Sequence, residues 1–333
     1  MNDSLHDRLL TLDSHVDIPW PEAEDPFAET SRCLDIPKMR TGGLDAVCLV
    51  AYVPQGKRDA EGFEAATSRA LAMLETINQV GHHHGARLAP TVAEIEEAVV
   101  ANLPAIIPVV ENGHAIGEDP ANIARFRALG ARYITLTHNG HNALADSAVA
   151  RRDLGDERTL HGGLSDLGRA AIAEMNRLGV VVDVSHVSRA SMLQAVAESS
   201  LPVVASHSCV RALCDHPRNL DDTQLDALAA SGGVIQITAV PFFVKRGGST
   251  GNVFVADFCD HIDYVVQRIG IDHVGIGSDF DGGGELSDWL HAGQNRNVTQ
   301  ELIKRGYQED AIAKIWGGNF LRVLAASERK PAS

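Results

Sequence analysis

The sequence predicts a closed (β/α)8 barrel of the TIM type, finished by C-terminal helices. Three observations lead there. Eight short apolar, β-rich runs recur along 333 residues. Stretches with apolar residues at three- and four-residue spacing, the helical period, lie between them. Most of the runs also lead straight into a histidine, aspartate or glutamate, which gathers polar chemistry at one end of the strands.

The runs are Leu9–Asp17, Ala46–Val53, Ala105–Asn112, Tyr133–His138, Val180–His186, Pro202–His207, Val234–Val240 and Val274–Asp279. Near-continuous hydrophobicity of this kind suits parallel strands covered on both faces. The clearest helical stretches are FEAATSRALAMLETINQV, LSDLGRAAIAEMNRLG, SRASMLQAVAE and ADFCDHIDYVVQRIG. In the second, Ser165 is placed to cap and Gly179 to stop the helix. Strand–helix alternation from end to end favours a barrel over an open doubly wound sheet. No glycine-rich dinucleotide fingerprint follows the first run.

Residues 18–43 and 139–163 read as long loops over the barrel mouth, where function concentrates. Past Gly282 the chain is expected to finish in helices, over VTQELIKRG, QEDAIAKIWG and NFLRVLAASE. With no internal repeat, low-complexity segment or linker, residues 1–333 are expected to form one domain.

Composition narrows the function. Forty-four acidic residues against 29 basic ones give a net charge of −15, which opposes nucleic-acid backbones. MNDSLHDRLL lacks a secretory pattern, no apolar run reaches membrane-spanning length, and SERKPAS carries no anchor signal. Cys33, Cys48, Cys209, Cys214 and Cys259 form an odd set without a CxxC pair. Reduced thiols and a cytoplasmic location, away from membranes, are therefore expected.

The polar residues at the strand ends carry the chemistry. His15 and Asp17 lie two apart on a strand, so both are expected to face the barrel axis. Imidazole plus carboxylate suits zinc, and also manganese, iron or cobalt. Glu111 follows Ile106, Ile107, Val109 and Val110. A buried carboxylate there needs a partner or a metal, and its two oxygens could bridge two cations about 3.5 Å apart. His186 and His207 end consecutive strands in Ser-His contexts. Asp279 ends the last run, where a carboxylate can shuttle a proton; Asp281 competes with it but lies beyond the apolar run. The His82–His84 triplet reads as a surface helix end, and His114 as a supporting or loop residue.

Taken together, HxD on strand one, Glu on strand three, His on strands five and six and Asp on strand eight resemble the membrane (renal) dipeptidase family of zinc peptidases. The likeness runs over nearly the whole chain. It includes Tyr133-Ile134-Thr135-Leu136-Thr137-His138-Asn139, Asp183-Val184-Ser185-His186, Ser206-His207-Ser208 and Pro217-Arg218-Asn219. Gly275-Ile276-Gly277-Ser278-Asp279-Phe280-Asp281-Gly282 and Gly317-Gly318-Asn319-Phe320-Leu321-Arg322 extend it.

The resemblance implies a dipeptidase acting on L-Xaa-L/D-Xaa peptides with a free C-terminus. It implies two Zn2+ per chain, one on His15, Asp17 and Glu111, the other on Glu111, His186 and His207, with Glu111 bridging. A hydroxide between the metals would attack, Asp279 would pass its proton to the leaving amine, and His138 would steady the oxyanion. Arg218 would grip the C-terminal carboxylate, as a planar guanidinium can. Tyr52 matches a pocket tyrosine, and a homodimer is implied. The chain departs from the family after Asn139: Gly140-His141-Asn142-Ala143-Leu144-Ala145-Asp146 replaces a tryptophan-bearing stretch, which bears on side-chain preference.

Other readings are another metal-dependent, amidohydrolase-type barrel hydrolase, such as a deaminase or lactonase, or a catalytically inert metal-binding relative. The first is expected to show HxH on strand one and often lysine on strand four; this chain has HxD and no lysine in Tyr133–His138. The second would be free to lose Asp279, which is present.

Overall fold

A computed structural model describes residues 5–21 and 24–328. The readings of the extreme N-terminus, of residues 22–23 in the first mouth loop and of residues 329–333 fall outside the described residues. Eight parallel strands form the predicted barrel: β1 (Leu12–Asp17), β2 (Ala46–Tyr52), β3 (Ala105–Glu111), β4 (Tyr133–Thr135), β5 (Val181–Asp183), β6 (Val204–Ser208), β7 (Val234–Ile237) and β8 (Val274–Ile276). They pair in chain order. Closure comes just past β8, where the Asp279 amide donates to His15 O (3.0 Å) and the Asp17 amide to Phe280 O (3.1 Å).

The barrel buries two apolar layers. Inside, the first residues of the strands (Leu12, Ala46, Ala105, Tyr133, Val181, Val204 and Val234) pack with Phe320, Val323 and Leu324 of the last helix, Asn319–Glu328. The helix seals the floor of the barrel, so the open end is the one where the strands finish. In such barrels the chemistry sits at that end. Outside, helices such as Ala60–Gly81, Asp166–Leu178 and Val255–Ile269 cover the strands with Met73, Leu74, Ile77, Ile172, Met175, Phe258 and Ile262. Ser165 caps Asp166–Leu178 by accepting the Gly168 amide, and Gly179 stops it at φ +67°. Among the described residues no helix is long and apolar enough to cross a membrane. All five cysteines are free and buried.

The strand boundaries need correction. A 3-10 turn, Leu5–Arg8, precedes β1, which starts at Leu12 rather than Leu9. A two-residue strand, Arg87–Leu88, adds to the edge of β3; it is too short for an apolar signature. Residues 18–43 are not loop throughout: Asp35 caps and Pro37 opens a helix over Ile36–Gly42. His138, His186 and Asp279 lie past the ends of β4, β5 and β8. For two of them the backbone explains it, since His186 (φ +66°) and Asp279 (φ +64°) turn the chain out of the ladder.

Candidate metal centre

Four side chains converge at the open end around one carboxylate. Glu111, the last residue of β3, has His186 Nε2 3.1 Å and His207 Nε2 3.4 Å from Oε1, and His15 Nε2 3.7 Å from Oε2. His138 Nε2 approaches Oε1 to 4.0 Å. All but His138 are almost fully buried.

The chain fixes which nitrogen each imidazole offers. His15 Nδ1 lies 2.8 Å from the Tyr133 hydroxyl, which itself donates to Ser14 O (2.8 Å) and must therefore accept from His15. His207 Nδ1 lies 2.9 Å from Ser206 Oγ, whose proton goes to Asp183 Oδ2 (2.6 Å). His186 Nδ1 lies 3.2 Å from Asn139 Oδ1, an acceptor. With the Nδ1 protons assigned by this network, Nε2 is the nitrogen each ring turns toward Glu111. At His15, burial is outweighed by Glu111, which raises the ring to about 9, so without a cation its Nε2 carries a proton that a metal ion would displace. The Nε2 atoms of His186 and His207 stand 2.8 Å apart, a repulsion of lone pairs that a shared cation or proton relieves. Two more buried atoms, His15 Nε2 and Asp17 Oδ1, have no hydrogen-bond partner. Donors aimed inward, oriented from behind and left unsatisfied are what metal ligands require.

Two groups of ligand atoms lie within 4.8 Å of one another: His15, Glu111 and His207, and Glu111, His138 and His186. Glu111 belongs to both. Asp17 falls outside both groups but lines the same cavity. The grouping thus differs from the expected division while keeping its shared glutamate.

Electrostatics point the same way. Burial, then the neighbouring Glu111, pushes the Asp17 carboxyl well above the ordinary carboxylate range. Burial and Glu111 also outweigh the opposing pull of His15 to raise Asp279 to about 7. Burial acts on Glu111 too, but facing His15 and His138 holds it well below its usual value. Burial depresses His186 and His207, keeping their rings neutral, as ligands must be. Three carboxylates packed together in a dry site call for cations.

Backbone strain concentrates here. Of the five non-glycine residues with positive φ among the described residues, Asn112, His186, Asp279 and Asp281 flank the site. Residues held in such conformations cluster at functional sites. Gly282 cannot be substituted without a clash: a Cβ there would lie 2.3 Å from Asp279 Oδ1 and 2.7 Å from Asp17 Oδ2.

Asp279 and Asp281 separate by their partners. The Asp281 carboxylate accepts the Cys33 amide (2.8 Å) and the Leu34 amide (3.2 Å) and pairs with Arg32 (3.1 Å). Arg32 also donates to Asp17 O (2.9 Å), so Asp281 straps the first mouth loop onto β1. Both carboxylates line the cavity, but Asp279 is the one beside the cluster, with His15 Nε2 3.9 Å from Oδ1.

The cavity above the cluster has a volume of about 490 Å3. Of the residues expected at the site, Asp17, Tyr52, Glu111, His138, His186 and Asp279 line it. His15, His207 and Arg218 are buried behind that lining. The Tyr52 ring packs edge-on against His138 (4.8 Å), and burial raises its hydroxyl to about 12, which keeps it a donor. Arg218 donates to His207 O (3.0 Å) and lies over the Phe243 ring (5.4 Å). Its Nε has no partner, and among the described residues it makes no ion pair. A buried guanidinium left this way has capacity for an anion.

The chain matches the family model "Membrane dipeptidase (Peptidase family M19)" over residues 2–332. This chain belongs to the membrane dipeptidase family. It is a metallopeptidase by that membership, and its fold agrees. "Dipeptidase verJ" of Clonostachys rogersoniana is 34% identical over 339 residues, spanning 95% of this chain and 84% of its own. "Dipeptidase aclJ" of Aspergillus oryzae is 34% identical over 302 residues, spanning 89% and 70%. Among solved structures, the probable dipeptidase PvdM from Pseudomonas aeruginosa superposes with a TM-score of 0.93 at 28% identity, covering 98% of this chain and 97% of that one.

Tyr133, Ser206, Asp183 and Asn139 stand in the motifs above, but their role in orienting the imidazoles does not show in sequence. Their signal was there, as polar residues inside apolar strands or directly after a candidate ligand, but it has no fixed spacing. His141, present where the family differs, takes no part in the cavity lining. Its ring accepts the Ser147 amide (3.0 Å) and faces Glu157 O (3.1 Å), bracing the second mouth loop.

His114 is buried in the 3-10 turn Gly113–Ile116, and burial lowers its pKa to about 4. A folded value below the unfolded 6.5 means the neutral ring is favoured in the fold. The stability it supports is complete above pH 6.5 and is lost as pH falls toward 4. On the order of 2 kcal/mol is at stake. Urea titrations of His114→Gln and wild type at pH 7 and pH 4.5 should show the variant losing less stability on acidification. Equal losses would remove His114 as a cause.

Proposed function

We propose that the protein is a two-metal dipeptidase that hydrolyses short peptides with a free C-terminus, of the form L-Xaa-L/D-Xaa. The observation that carries this is the convergence of three oriented Nε2 atoms on Glu111, each 3.1–3.7 Å away, with its orienting partner behind it. One ion would be held by His15, Asp17 and Glu111, the other by Glu111, His186 and His207. Nitrogen and carboxylate donors of this kind suit zinc. Metal ions bound there would supply, at neutral pH, a hydroxide nucleophile and polarisation of the scissile carbonyl.

The chain's own residues do the rest. Asp279 takes the proton as the tetrahedral adduct forms and delivers it to the departing amine, a task suited to a carboxyl poised near neutrality. His138, next to Glu111 at the cavity wall, steadies the developing oxyanion. Tyr52 donates from beside it. Arg218 captures the substrate's terminal carboxylate, which fixes the register of the peptide. Residues 1–333 act as one barrel unit in this reading.

The direct test is hydrolysis of a panel of L-Xaa-L-Xaa and L-Xaa-D-Xaa dipeptides, before and after chelation and after adding zinc back. Turnover should vanish on chelation and return with metal; turnover by fully stripped protein would refute the mechanism. Arg218→Met tests carboxylate capture separately. It should cut kcat/KM for dipeptides by about a hundredfold or more, the loss of a charged bidentate contact, without changing metal content. An unchanged rate would reject the role.

A further inference from the structure

We propose that residues Val240, Phe242 and Phe243 form a subsite for an apolar or aromatic side chain on the C-terminal residue of the substrate. The inference rests on the dipeptidase reading above and adds the substrate class. The polar part of the cavity wall comes from Asp17, Glu111, Asp279 and their neighbours. Its apolar part comes from one short segment directly after β7, where Pro241 opens the helix Pro241–Val244.

Phe242 is 52% exposed at the cavity rim, an unusual position for a phenylalanine. Its ring meets Phe243 edge-on at 4.6 Å, and the His216 ring supports Phe243 from 4.5 Å. The pair is therefore braced and presents a fixed apolar face to the cavity. Phe243 is also the ring beneath the Arg218 guanidinium, at 5.4 Å. A terminal carboxylate held by Arg218 brings the α-carbon of that residue beside this face, and its side chain must lie against Phe242 or remain in water. Burying an apolar side chain there removes both surfaces from solvent. An acidic side chain would meet a cavity already lined by Asp17, Glu111, Asp279 and Asp281, and is disfavoured.

The test compares kcat/KM for L-Ala-Gly, L-Ala-L-Ala, L-Ala-L-Leu and L-Ala-L-Phe in the metal-loaded wild type and in Phe242→Ala. Phe242 is half in solvent, so the variant is expected to fold; circular dichroism and metal content verify this. Wild type should favour L-Ala-L-Phe over L-Ala-Gly by about tenfold or more, the scale of apolar side-chain discrimination. Phe242→Ala should reduce that ratio at least about fivefold, and Phe242→Leu should restore part of it. A ratio near one in wild type, or one that Phe242→Ala leaves intact, would overturn the subsite while leaving the dipeptidase reading standing. Turnover of none of the four peptides would overturn that reading and the subsite with it.

Discussion

Asp279→Asn should lower kcat by about a thousandfold, with KM changed only a few-fold and metal content as in wild type. The substitution keeps size and shape but removes the ability to carry a proton. Geometry makes this informative. Asp279 is held by the hydrogen bond its backbone N–H donates to His15 O and by a left-handed backbone, while Gly282 packs against its carboxylate too closely for any side chain. An amide fits the same place, so loss of rate reports chemistry rather than collapse. The alternative carboxylate, Asp281, is committed to the Cys33 and Leu34 amides and to Arg32. Asp281→Asn should therefore act through the mouth loop, raising KM more than it lowers kcat. If Asp279→Asn retained kcat within about tenfold, proton transfer by that residue would be excluded.

Glu111→Gln should be more damaging still. Glu111 is the member common to both groups of ligand atoms, and its Oε1 alone lies within 4.0 Å of three imidazoles. Glutamine is nearly isosteric but neutral. It would leave the imidazole cluster without its central anion, and two cations without the charge between them. Metal content should fall below one ion per chain, and turnover to the level of stripped protein. Because breaking a buried charged cluster is costly, about 3–5 kcal/mol of stability should go with it in the metal-free protein. A Glu111→Gln protein that kept two ions would show that the glutamate is not shared.

The barrel was legible because its strands are buried on both faces and so read as continuous apolar runs. Ala105–Glu111 is buried at every position. The donors were legible for a related reason: a histidine or carboxylate at the end of such a run has no packing role to explain it. Other features had no such signal. The turn that carries His186 past β5 depends on a backbone conformation, φ +66°, that its residue type does not announce. The pairs Tyr133–His15 and Ser206–Asp183 join residues 118 and 23 apart in the chain. Pairing of β5 with β6 brings the second pair together, and closure of the barrel the first. Arg87–Leu88 is shorter than any periodicity can register. Phe242 read as part of no element, since an apolar residue at a cavity rim looks in sequence like one in the core.

Elemental analysis of the purified, folded protein after equilibration with zinc and removal of excess tests the two-ion centre most directly. The structure's shared glutamate predicts two ions per polypeptide, falling together when Glu111 is replaced. A fully loaded, active preparation that never binds more than a single ion would contradict it.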